Sequence, residues 1–344
     1  MRHPAIESFD DIRRLMADLP APDTAARAAA EAHETVLTKP AGALGRLETL
    51  AAWMTGWQGR HPPRLDRARV LVFAGNHGVA TRGVSAFPAE VTAQMVANFQ
   101  AGGAAINQLC NAMGAELVVR ALDLDRPTAD FTVQPAMREA ECVQAFAAGM
   151  AAVDPDLDLL CVGEMGIANT TSAAALCGVL FGGAAADWVG PGTGVAGDGL
   201  QRKTDAVAAA MALHGGNPVD PLTALARVGG RELAAMAGAV LAARLNGVPA
   251  LLDGYVCCAA AAVLHALTPA ALTHCQAGHV SAEPAHAKLL DLLEKSPLLD
   301  LGMRLGEASG AAVAIGVVKA AVAAHTGMAT FADAGVADSP GNPS

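Results

Sequence analysis

Short apolar runs alternate with longer stretches of helical period through the middle of the chain, the pattern of βα units around a mostly parallel sheet. Residues 70–74, 116–122, 157–162, 250–253 and 274–280 are the candidate strands. Between them, residues 88–100, 171–180, 231–245 and 285–293 carry helical spacing. The chain ends differ: residues 1–60 and 309–325 read as helix with no strand signal. The pattern predicts an α/β protein with a mostly parallel sheet flanked by helices. Residues 61–308 fall to that domain, 1–60 with 309–337 to a small helical domain built from both ends, and 338–344 to a flexible tail.

In open parallel sheets, ligands bind outside the carboxyl ends of the strands. Four candidate strands are followed by Gly75-Asn76-His77-Gly78, Gly163-Glu164-Met165-Gly166, Gly254-Tyr255 and Ser281-Ala282-Glu283-Pro284. One crevice would therefore collect glycines, carboxylates, amides and hydroxyls.

Composition narrows what enters that crevice. A chain of 344 residues, 53% hydrophobic and 16% charged, is globular in composition. Its formal charge of −10 argues against a nucleic-acid or anionic-membrane surface, which would need clustered Lys and Arg. Mean hydropathy is +0.34, yet the excess comes from alanine, and apolar runs are interrupted before the roughly 20 residues that a bilayer crossing needs. The first 11 residues have mixed charge and no apolar core of a signal peptide, so a cytoplasmic location is expected. Seven cysteines without C-x-x-C spacing read as buried free thiols. His274, His279 and His286 lie near one another but match no metal-ligand spacing, so no metal is expected.

Several segments carry chemistry, each beside a plainer reading. The stretch from Gly163 to Thr171 follows a strand and opens an alanine-rich helix, a phosphate cradle of backbone N–H groups and helix dipole. Asn169, Thr170 and Thr171 would alternatively be simple helix caps. Lys203 follows the loop Gly190 to Gly197 and can supply a point charge to a phosphate, or be a solvated lysine. That loop contains a nominal dinucleotide fingerprint at Gly192, Gly194 and Gly197, but residues 184–189 make a poor strand before it and Asp220 lies in a loop. Glu307 precedes an apolar helix from about Ala311. It is either a helix-end charge or a crevice-facing base whose pKa is raised beside Met303 and Leu305. Phe87, Val91 and Met95 mix with Ser85 and Gln94 on one face, as a flat heteroaromatic ligand requires, or simply pack a core. His77 reads as structural. No G-x-S-x-G elbow and no P-loop occurs, and no strand ends in the paired acids that hold magnesium pyrophosphate.

Taken together, Thr38 to Glu48, His77 to Met95, Gly102 to Asn107, Gly163 to Thr171, Gly190 to Gly194, His279 to Pro284 and Leu305 to Glu307 resemble one family. It is the nicotinate-nucleotide:dimethylbenzimidazole phosphoribosyltransferases, which make the lower-ligand nucleotide of cobalamin. The resemblance implies a Rossmann-like catalytic domain at residues 61–308, a small helical domain from both chain ends, and a homodimer without a cofactor, acting on nicotinate mononucleotide and dimethylbenzimidazole. It implies Glu307 as general base and a phosphoribosyl site at Gly163, Glu164, Gly166, Ile167, Ala168, Asn169, Thr170, Lys203, Ser281 and Gly306. It implies a base pocket at Ser85, Phe87, Gln94, Met95 and Leu305. The implied chemistry is inversion at C1′ with a cationic leaving group, which needs no magnesium. Ala168 and Ala308 depart from the family pattern, where glycine is expected, and Asn76 stands where Asp is common. A non-catalytic nucleotide-binding regulator and a phosphoribosyltransferase for another aromatic nucleophile are the competing readings.

Overall fold

A computed structural model describes residues 6–216 and 218–337; the expected flexible tail at 338–344 lies outside the described residues. Three helices lead the chain, α1 (Phe9–Ala17), α2 (Thr24–Glu34) and α3 (Arg46–Gln58), before β1 (Ala68–Ala74). Helices α4 (Glu90–Ala101) and α5 (Ala105–Met113) connect β1 to β2 (Glu116–Ala121), and α6 (Glu139–Ala151) precedes β3 (Leu159–Met165). Helices α7 (Asn169–Phe181), α8 (Asp198–His214), α9 (Pro221–Val228) and α10 (Arg231–Leu245) separate β3 from β4 (Ala250–Leu252). Then α11 (Tyr255–Leu267) leads to β5 (Cys275–His279) and α12 (Pro284–Leu292) to β6 (Pro297–Leu299). Helices α13 (Ser309–Gly327) and α14 (Phe331–Ala334) follow.

The strands form one sheet in the order β2-β1-β3-β4-β5-β6, every neighbouring pair parallel. The expected α/β class is what forms. The strand order reverses direction between β1 and β3, the switch point at which such sheets open a crevice. Strands β1, β3, β4 and β5 are buried along nearly their whole length, so their apolar runs are continuous rather than alternating. Two apolar layers cover the sheet. One gathers α6, α7, α9, α10 and α11 on one face, and the other gathers α5 and α13 on the opposite face.

Strand β3 runs further than the apolar run suggests. It continues to Met165 because its pairing with β1 persists through Glu164 opposite Phe73 and Met165 opposite Ala74. Glu164 thus belongs to the strand rather than to the turn after it, while Asp253, expected within β4, falls just beyond its end.

The alanine excess serves close helix packing. Where α6 crosses α10, a Cβ on Gly149 would lie 1.8 Å from the Ala235 carbonyl oxygen, and one on Gly238 would lie 2.0 Å from that of Phe146. Nearly every residue of α10 is buried. Helix α13 is long and apolar enough to cross a membrane, unlike the interrupted runs expected, but half of it is buried inside the protein. It packs on α3, α5 and β5, and α3 also packs on α2, so the two ends of the chain meet. Leu37 and Thr330 pair there in an isolated antiparallel bridge. All seven cysteines are buried and unpaired.

Helix α13 enters over the sheet with almost no clearance. A Cβ at Gly163 of β3 would sit 2.2 Å from the Ala308 amide nitrogen, and one at Gly310 would sit 2.0 Å from the His279 ring. Gly163→Ala is therefore expected to cost about 1–3 kcal/mol by overpacking. Urea unfolding of the variant measures it, and an unchanged midpoint with an unchanged slope would contradict this account of how α13 docks.

Candidate active site

The carboxyl ends of β3, β4 and β5 open onto a cleft of about 600 Å³. Glu164, Gly166, Ile167, Asn169 and Thr170 line one wall, His279, Ser281 and Glu283 another, and Arg304, Leu305 and Gly306 a third. A smaller adjoining cleft of about 280 Å³ shares Gly166, Ile167, Asn169 and Thr170 and adds Val84, Ser85, Ala168 and Lys203.

The loop between β3 and α7 has none of the side-chain capping that was its plainer reading. Ala168 occupies the position before α7 with φ of 74°, and no side chain caps the helix. The candidate caps are engaged elsewhere: the Asn169 side-chain amide donates to Glu164, and Thr170 Oγ1 accepts from Lys203 at 2.8 Å. The Ile167 N–H donates to Thr92 Oγ1 at 3.1 Å, which ties the loop to α4. Thr92 was not singled out, but it is fully buried on a helix where Glu90, Ala93 and Gln94 are exposed.

Lys203 is not a solvated lysine. It is 1% exposed and also donates to the Gly190 carbonyl at 2.8 Å, leaving one of its three N–H donors for another partner. Burial pulls its pKa down to about 8, against the opposing pull of Glu283. The Gly190–Gly197 loop follows a short 3-10 turn, Ala185–Asp187, rather than a strand. Asp220 caps α9 through the Thr223 N–H at 2.8 Å, so it has no part in a dinucleotide site.

Glu307 sits in a run of left-handed residues, with φ of 82° at Gly306, 59° at Glu307 and 61° at Ala308. Ala308 thus occupies a conformation that glycine adopts at no cost, as does Ala168. The Glu307 N–H donates to the Glu164 carbonyl at 3.1 Å, which joins the two loops. Its side chain does not cap α13; Asp253 does, accepting the Ala311 N–H at 2.9 Å. Glu307 is 5% exposed and its Oε2 has no hydrogen-bond partner. Burial, then the Asp253 carboxylate, raises its pKa to about 7. The apolar neighbours expected to tune it matter less, since Leu305 is 52% exposed and the second influence is a charge. Glu164 is raised to about 8 by burial, then by Asp253 and Glu232, against the Asn169 hydrogen bond.

The remaining expected residues divide. Gly163 is buried under Ala308 rather than at the cleft wall. Ser85, Ser281, Leu305 and Gly306 line the clefts, but Phe87, Gln94 and Met95 line neither. Phe87 is 48% exposed beside Ser85, whose Oγ accepts its N–H at 3.3 Å; Gln94 is exposed, and Met95 packs on the layer beneath the sheet. Arg304 and Thr193 line the cleft without having been singled out, and Tyr255 and His279, expected only as part of the strand-end segments, line it too. Arg304 donates to the Gly192 carbonyl at 3.0 Å, bridging two loops that the sequence separates. His77 is enclosed, with Nδ1 2.8 Å from Ser172 Oγ and Nε2 2.5 Å from Glu232, a pair of contacts that fixes α7 and α10 to the end of β1.

Comparison with known proteins places this geometry. A phosphoribosyltransferase family model matches residues 19–336. The nicotinate-nucleotide–dimethylbenzimidazole phosphoribosyltransferase of Methylocella silvestris is 59% identical over 333 residues, covering 97% of this chain and 98% of that one. The protein of the same name from Rhizobium meliloti is 58% identical, covering 96% of this chain and 97% of that one. Among solved structures, CobT from Thermus thermophilus superposes with a TM-score of 0.85 at 40% identity, covering 92% of this chain and all of that one.

The Glu307 environment has a thermodynamic signature. Because its folded pKa of about 7 exceeds the ordinary 4.5, the folded state holds the proton more tightly and the group costs stability as pH rises through that interval. Glu307→Gln is expected to be more stable than wild type at pH 8.5, by on the order of 2 kcal/mol, with the difference vanishing near pH 4.5. Denaturant titrations at the two pH values measure it, and a pH-independent difference would contradict the assignment.

Proposed function

The chain belongs to the nicotinate-nucleotide–dimethylbenzimidazole phosphoribosyltransferase family, and from that premise we propose that Glu307 is the general base of its transfer reaction. The protein is an enzyme of cobalamin lower-ligand synthesis. It moves phosphoribose from nicotinate mononucleotide to 5,6-dimethylbenzimidazole, giving α-ribazole 5′-phosphate and nicotinate. One observation carries the Glu307 assignment: a buried carboxyl with a free oxygen, raised to about 7, immediately behind the cleft wall at Gly306.

In nicotinate mononucleotide the pyridinium nitrogen is cationic, so breaking its bond to C1′ returns the electron pair and neutralises the ring. One benzimidazole nitrogen attacks C1′ from the opposite face and forms the new C–N bond, converting a β linkage into an α linkage. The proton on the other benzimidazole nitrogen passes to the Glu307 carboxylate. Alignment of the two reactants supplies several kcal/mol of the barrier.

In this reading the phosphate lies against the loop from Gly166 to Thr170, with Lys203 beneath it. The ammonium is already oriented by Thr170 and Gly190, so binding spends little on ordering it. Glu164 stays largely protonated at neutral pH and so adds no charge against the phosphate. Ser85 and Leu305 flank the benzimidazole, with Phe87 and Gln94 closing over it from the exposed segment and α4. Met95 supports that helix from the layer beneath. The same reading carries a homodimer in the cytoplasm with no nucleic-acid or membrane partner, in keeping with the charge of −10. The non-catalytic alternative has no support, since the relatives bear the name of an enzyme.

Purified protein mixed with nicotinate mononucleotide and dimethylbenzimidazole in the presence of a chelator is expected to release nicotinate and form the α anomer. No release, or a strict magnesium requirement, would contradict the reading. Glu307→Gln is expected to lower kcat about 10²-fold or more; near wild-type turnover would return Glu307 to a structural role. Activity against pH is expected to rise through about 7 as Glu307 ionises and to fall above about 8 as Lys203 loses its proton.

A further inference from the structure

His279, Ser281 and Glu283 leave the end of β5 at alternate positions, and all three line the main cleft. Each is more than nine-tenths buried, at 2%, 7% and 6% exposure. Ser281 holds the segment in place: its N–H donates to His286 Nδ1 at 2.8 Å, and its Oγ accepts the Glu283 N–H at 3.1 Å. The Glu283 carboxyl is thereby set against Gly190, where a Cβ would come within 2.2 Å of Oε2. The Gly190 carbonyl in turn accepts from Lys203, so this glycine is clasped between an acid and an ammonium. Glu283 Oε1 has no hydrogen-bond partner, and neither ring nitrogen of His279 has one.

A buried carboxylate oxygen without a donor in the protein is costly, and where it lines a cleft the missing hydrogen bond comes from water or from a bound ligand that displaces it. The cleft is the side from which that donor arrives. A phosphate oxygen or the nicotinate carboxylate would be repelled there, because both are acceptors. The donors that a mononucleotide offers are its ribosyl hydroxyls.

We propose that Glu283 is a specificity-determining residue that accepts a hydrogen bond from a ribosyl hydroxyl of the phosphoribosyl donor. The proposal rests on the phosphoribosyl-transfer reading and deepens it. It makes the wall at the end of β5, beside Gly190 and Lys203, a ribose-recognising surface, so that the enzyme distinguishes ribosyl from deoxyribosyl donors. A site built to bond a hydroxyl rejects the analogue that lacks it, because its own polar group is then left unpaired.

The test compares kcat/KM for nicotinate mononucleotide and its 2′-deoxy and 3′-deoxy counterparts in wild type, Glu283→Gln and Glu283→Ala. Wild type is expected to lose about 10- to 100-fold with one deoxy donor, on the scale of a hydrogen bond to a charged group. Glu283→Ala is expected to lose a similar factor with the parent donor and little more with that analogue. Glu283→Gln keeps the side-chain volume and a neutral acceptor but not the charge, so its discrimination is expected to shrink rather than vanish; thermal unfolding of both variants identifies any that is not folded, and the folded variant carries the comparison. Discrimination in a folded variant as strong as in wild type, or no discrimination by wild type, would overturn the role of Glu283. Absence of nicotinate release by wild type from the parent donor would instead overturn the phosphoribosyl-transfer reading itself.

Discussion

The close approach of α13 to the sheet is the constraint on which the rest of the site depends. Gly163 of β3 leaves room for the backbone at Ala308, and Gly310 leaves room for the ring of His279. Without those two missing side chains the first turn of the helix would stand off the sheet. The segment before it would then reach solvent, and Glu307 would titrate as an ordinary surface carboxyl. With them, three successive left-handed residues, Gly306 to Ala308, fold the chain back under β3, and the Glu307 N–H joins the Glu164 carbonyl.

A second consequence is a division of labour between carboxylates. A helix start attracts one acid to its free N–H groups. Asp253 fills that role from the end of β4, bonding the Ala311 N–H, so Glu307 is released from it. The Asp253 charge then raises both Glu307 and Glu164, because like charges in a shared, poorly solvated space oppose one another's ionisation. One residue therefore caps the helix and adds to the rise in proton affinity that burial gives the candidate base. A similar economy holds on the phosphate side, where Lys203 braces Thr170 and Gly190 while keeping a donor for a ligand.

Much of this was legible in the sequence wherever a run of apolar residues had a clear end. The five strands expected from short apolar runs all form, and the loop from Gly163 to Thr171 lies at the cleft with its first and last residues drawn into the core. Strand β6 was missed because it opens on Pro297 and is only half-buried, so it shows no buried apolar run; α6, α8 and α11 were not marked out because alanine gives them little contrast between faces, and α5 and α9 were not marked out either. Asp253 and Arg304 were not singled out either. Asp253 read as the last residue of a strand, and the partner of Arg304, the Gly192 carbonyl, lies 112 positions away in the chain. Position along the sequence placed Phe87, Gln94 and Met95 on one helical face, but only the packing separates exposed Phe87 and Gln94 from Met95 beneath.

The central claim is that burial makes Glu307 a base poised near neutrality, and the most direct measurement is the titration of its carboxyl carbon by NMR. Protein carrying ¹³C-labelled glutamate, with the Glu307 resonance assigned by its loss in Glu307→Gln, would be followed from pH 4 to pH 9. The account predicts a midpoint near 7. A midpoint near the ordinary value of about 4.5 would contradict it, whatever the activity of the variant.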